Sequence, residues 1–98
     1  MKADLRADSD RLQRLIHGTP RHAHVEVRAH GAHLVIELAA ALAREPVARA
    51  TRLGPGHFGL SFRSHTGRWE PLPVAGDLVE IARALSDELG AYLDPANL

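Results

Sequence analysis

The sequence predicts a single α+β domain over residues 1–98. Its parts are an N-terminal helix, a four- to five-stranded antiparallel meander and a C-terminal amphipathic helix packed on one face of the sheet. Three observations carry this. Phe58, Leu60 and Phe62 alternate with Gly59 and Ser61, the period of a half-buried strand. Gly54-Pro55-Gly56 before that run and His65-Thr66-Gly67 after it are turn sequences. Over residues 77–93, Leu78, Ile81, Ala82, Leu85, Leu89, Tyr92 and Leu93 fall within an arc of roughly 120°, as on a core-facing helix.

Residues 4–17 have helical spacing, with Leu5, Leu12, Leu15 and Ile16 on one side and Arg6, Asp10 and Arg14 opposite. Gly18 is expected as a left-handed stop before Thr19-Pro20. Because Asp8 and Ser9 narrow the apolar stripe, this helix is expected beside the sheet or against a second copy of the chain. Residues 22–38 alternate as a hairpin. A turn at His30-Gly31 pairs Val27 with Leu34 and Val25 with Ile36, and sets His24 beside Glu37 and Arg28 beside His33. Residues 39–44 are expected as a helical turn. A third strand, 47–53, then pairs with the fourth, 57–63, so that Ala48 and Ala50 lie opposite the large side chains. Arg49, Thr51, Ser61 and Arg63 face out. Trp69 and Leu72 form a short edge strand bounded by Pro71 and Pro73, with Trp69 covering the open edge. Asp77 caps the last helix and Glu80 reaches back to it.

Composition narrows the function. Ninety-eight residues, 45% of them hydrophobic, suffice for one core. The chain has no cysteine, so thiolate chemistry is excluded. Twelve basic and twelve acidic residues cancel, which removes any global pull toward nucleic acid or an anionic membrane. The charges are unevenly placed, however: residues 44–68 carry a net +4 and residues 69–98 a net −5. The first residues lack the apolar core of a secretory signal, and the run Leu34 to Ala43 is too short for a bilayer. A soluble cytoplasmic protein with no membrane partner is expected.

Four motifs bear on chemistry. Gly54-Pro-Gly-His-Phe-Gly59 spells a dinucleotide fingerprint, but a strand follows where a helix must, so it is expected to serve as a hairpin turn. Seven histidines stand out, and His22, His24 and Glu37 make a candidate site for zinc, nickel or copper. Ser61 and His57 are four residues apart on a strand, roughly 13 Å, so they form no hydrolytic pair. Arg49, Arg63, Arg68 and Trp69 make a basic, partly aromatic patch suited to an acidic protein surface or, less well, to single-stranded nucleic acid. The expected function is a non-enzymatic interaction module, self-associating as a homodimer or bound to an acidic partner.

Overall fold

The structure is a computed structural model that describes residues 5–19, 22–39 and 44–87. Its elements are α1 (Arg6–His17), β1 (Val25–His30), β2 (His33–Ala39), β3 (Arg44–Gly54), β4 (His57–Arg63), β5 (Trp69–Gly76) and α2 (Leu78–Asp87). The strands form one open antiparallel sheet in chain order. This is the α+β architecture the periodicity predicts. The expected helical turn at 39–44 and the last part of the C-terminal helix lie largely outside the described residues.

The centre of the sheet follows side-chain size. Ala48 stands opposite Phe62 and Ala50 opposite Leu60, small against large, as the alternation requires. Phe58 and Leu60 are buried, but Phe62 is only half-buried, against the expectation that all three are core. Helix α2 starts at the Phe58 end of the sheet, where Phe58 faces Gly76. Phe62 is four residues away beside the exposed Glu70, so it gains less cover. Asp77 Oδ1 accepts the Glu80 N–H at 2.9 Å, the cap expected at that helix start. Leu78, Ile81, Ala82, Ala84 and Leu85 then face the core.

Helix α1 belongs to the same core, which corrects its expected peripheral place. It packs on β1 and on α2, and Leu12 and Ile16 are fully buried. The stripe is wider than its letters suggest because Ser9 is buried too. Its hydroxyl donates to the Arg6 carbonyl at 2.7 Å, so Leu5, Ser9, Leu12 and Ile16 form a continuous inward row. Gly18 is right-handed, at φ −60°, and not the left-handed stop expected. The helix ends instead by tightening, with the Thr19 N–H bonded to Ile16 O at 3.1 Å. Each fully buried large apolar side chain contributes about 1.5–3 kcal/mol.

The β1–β2 hairpin forms two residues out of the expected register. His30 pairs with His33, so Gly31-Ala32 makes the turn, and Val27 meets Ile36 while Val25 meets Leu38. Gly31 has φ +59° and no other residue type in the described chain has positive φ. A turn at His30-Gly31 would have put histidine in the left-handed region. Moving it one residue along gives that place to glycine.

Strand β5 runs to Gly76, longer than expected. Ser61 faces Pro71 while Gly59 faces Ala75, so β5 bulges opposite Leu60. Its prolines are tolerated because it is an edge strand. The other edge is held by α1: His17 Nε2 lies 2.6 Å from Val25 O, and the Val27 N–H donates to Gln13 Oε1 at 2.8 Å. A strand added to either edge would meet prolines on β5 or groups already bonded on β1. Among the described residues, no helix is long and apolar enough to cross a membrane.

Candidate interaction face

The alternation that turns Leu34, Ile36, Ala50 and Leu60 toward the helices turns Val35, Glu37, Arg49, Thr51, Gly59 and Ser61 the other way. Among the described residues, no helix covers this outer face. One cross-strand row runs Arg28, Val35, Arg49, Ser61, Pro71, and the next runs His30, His33, Thr51, Gly59, Ala75.

Of the four residues assigned to a basic patch, the structure joins two. The Arg49 guanidinium lies 4.7 Å from the centroid of the Trp69 ring, a cation–π contact from β3 to β5 across β4. Ser61, the residue of β4 opposite Arg49, is small enough to lie beneath such a bridge. Trp69 is therefore laid over the outer face and does not shield the sheet edge, which corrects the expected role. Arg63 faces Trp69 across the β4–β5 pair, and Arg68 is exposed at the turn before it. Among the described residues, Arg49, Arg63 and Arg68 have no carboxylate within ion-pair distance.

The candidate metal residues are not gathered. His22 is buried in the turn before β1, with its N–H bonded to Thr19 O at 2.9 Å, and so is not on the strand face. His24 is half-buried, and the two-residue register shift puts Ala39 opposite it in place of Glu37. Glu37 is itself buried and holds Arg28, its Oε1 accepting from Arg28 Nε at 3.1 Å. Among the described residues, no three His, Cys, Asp or Glu side chains cluster to hold a metal ion.

His33 completes the face. Its Nδ1 lies 2.8 Å from Thr51 Oγ1. Burial first, then the Arg49 charge and then His30, hold its pKa below the ordinary histidine value.

A trough beside these groups was not foreseen from the sequence. It has a volume of ≈ 380 Å3 and lies over β4, between β3 and β5. Gly59 leaves its floor open, and Leu53, 61% exposed, leans over that glycine. The glycine fingerprint beneath it is a hairpin turn, as expected: Gly56 has φ +66° and β4 follows directly. Compared with known proteins, the chain matches no family model, no curated protein and no solved structure.

Proposed function

We propose that this chain is a small cytoplasmic, non-enzymatic interaction module that binds an acidic protein surface through the outer face of its sheet. A second copy of the chain is the first such partner to test. One observation carries this reading: Arg49 and Arg63 share a face that no described helix covers, with Arg68 exposed at the turn beside it and Leu53 exposed on it, and among the described residues none of the three has a carboxylate within ion-pair distance. Unneutralised charges next to exposed apolar surface suit a steered, complementary contact. The net −5 of residues 69–98 offers the matching sign on another copy. With one sheet edge bonded to α1 and the other carrying prolines, the face is the better contact than strand addition. Nucleic acid is disfavoured because the single tryptophan already stacks on Arg49 and so is not free for a base. A histidine-based metal role has no gathered ligand set in its support among the described residues.

Sedimentation equilibrium from low to high micromolar protein, at two ionic strengths, tests the reading. Association is expected to grow with concentration, weaken with salt and disappear when Arg49 and Arg63 are both changed to Glu. A monomer under every condition would sink self-association.

A further inference from the structure

We propose that the trough along β4 is the seat of an acidic, apolar segment of the partner, with a carboxylate on Arg49 and the neighbouring apolar side chain over Gly59. This rests on the outer face being the interaction face and names the chemistry it recognises.

The geometry is specific. Gly59 and Ser61 form a floor with almost no side chain, while Thr51 and Leu53 on β3 and Pro71 and Pro73 on β5 form walls. This open depression has a volume of ≈ 380 Å3, at the small end of the ~300–1,000 Å3 typical of ligand sites and room for one or two side chains. Register places the Arg49–Trp69 stack at the Ser61 end, because Arg49 pairs with Ser61 and Trp69 with Arg63. Stacking on the indole fixes the guanidinium plane, and because Nε is buried without a hydrogen-bond partner the two terminal nitrogens are the ones left to meet a carboxylate at two points. No described carboxylate is within ion-pair distance of Arg49, so among the described residues an incoming acid displaces no partner. Largely apolar walls, with an oriented cation next to the trough across the strand pair from Ser61, call for a ligand with apolar side chains and an adjacent carboxylate. A bare anion would leave the trough unfilled, and an uncharged apolar segment would bury Arg49 without a counter-charge.

The chain supplies its own probe, because Trp69 is its only tryptophan and lies in the stack. Its emission is to be followed during titration with an acetylated, amidated peptide alternating leucine and aspartate. The same peptide with asparagine, dodecanoate, and a single-stranded oligonucleotide serve as comparisons. The aspartate peptide is expected to shift the emission saturably and to bind at least about tenfold more tightly than the asparagine peptide or either other ligand. Arg49→Gln should weaken that binding by about tenfold or more.

Gly59→Val is the decisive variant. Residue 59 is not in the left-handed region, and the nearest atoms a Cβ there would meet belong to the flexible Leu53 side chain, at 3.2 Å. Valine also suits a strand better than glycine. The fold should therefore keep its unfolding midpoint while the filled trough loses about tenfold or more in peptide affinity. Equal binding of the two peptides, undiminished binding by Gly59→Val, or tighter binding of dodecanoate or the oligonucleotide would each overturn the proposal. If the peptide does not bind but salt-sensitive self-association persists in Gly59→Val, the seat is wrong and the outer-face reading stands. If peptide binding and self-association are both missing, both fall.

Discussion

The two faces of the sheet are made by the same strands but are buried by different means. On the inner face, Leu34, Ile36, Phe58 and Leu60 lie under two helices and are at most 2% exposed. On the outer face, Val35 is 8% exposed and Glu37 5%, although no described helix lies above them. Val35 stands between Arg28 and Arg49 in its cross-strand row. The aliphatic stems of long charged side chains can cover apolar surface while their heads stay in water. Helices give a fixed cover, whereas arginine stems give one that a partner can rearrange. The inner face is therefore the stable part of the molecule and the outer face the adaptable one.

The largest expected effect sharpens that contrast. Phe58→Ala removes a side chain locked beneath α2 and should cost about 3–5 kcal/mol in urea unfolding. Val35→Ala, beneath movable stems that can settle into the gap, should cost only about 1 kcal/mol. Equal losses would mean that the outer face is a second rigid core, and the distinction would collapse.

What could be read in advance follows the same division. The limits of β4 and the pairing of Ala48 and Ala50 with Phe62 and Leu60 come from a period-two pattern, which depends only on side-chain alternation. The β1–β2 register was not readable in that way. A slide of two residues leaves every side chain on its own face, so the hydrophobic pattern is the same before and after. Only the φ demand at the turn, met by Gly31, separates the two registers. That slide puts Ala39 opposite His24 and Glu26 opposite Glu37, so the expected His24–Glu37 pairing does not form. Helix α1 looked peripheral because Ser9 interrupts its stripe, and burial of Ser9 depends on a local bond to Arg6 O. At the candidate site, Arg49, Arg63 and Trp69 could be placed in a patch by sequence, but their contacts could not. The Arg49–Trp69 stack and the trough both depend on how β5 pairs with β4, including a bulge that no short-range pattern announces. The nearest signal was Gly59 and Ser61 pointing outward from an otherwise aromatic and leucine-rich strand.

A smaller effect is expected where the outer face buries a charge. Glu37 stands opposite Glu26, a like-charge pair, and its side chain is 7% exposed while Arg28, its partner, is 50% exposed. Arg28→Ala leaves the carboxylate without that compensation and should cost about 1–2 kcal/mol in urea unfolding. Changing both partners, Arg28→Met with Glu37→Leu, should restore most of this, because an apolar pair has no charge to desolvate. If the double variant is less stable than Arg28→Ala alone, the pair contributes more than it costs to bury. The outer face would then owe its order to electrostatics, not to stems.

The smallest effect is one of direction with pH. His33 has its pKa lowered in the folded chain by burial, by Arg49 and by His30, so folding favours its neutral form. Thr51 is its hydrogen-bond partner on β3, His30 faces it from β1, and Arg49 is the charge beside it. In the unfolded chain the group titrates near the ordinary value of 6.5. Its contribution is therefore fully present above that pH and is lost as pH falls through the folded pKa. Below the folded pKa both states hold the proton and the loss stops growing. His33→Asn keeps a polar atom near the position of Nδ1 for Thr51 but cannot take up a proton. Relative to wild type, the variant should lose less stability between about pH 8 and about pH 5, since the two proteins differ only at residue 33. Parallel stability profiles would show that His33 accommodates the added charge by turning outward, as only a loosely covered face permits. A flatter profile in the variant would mark the His33–Thr51 contact as the rigid part of that face.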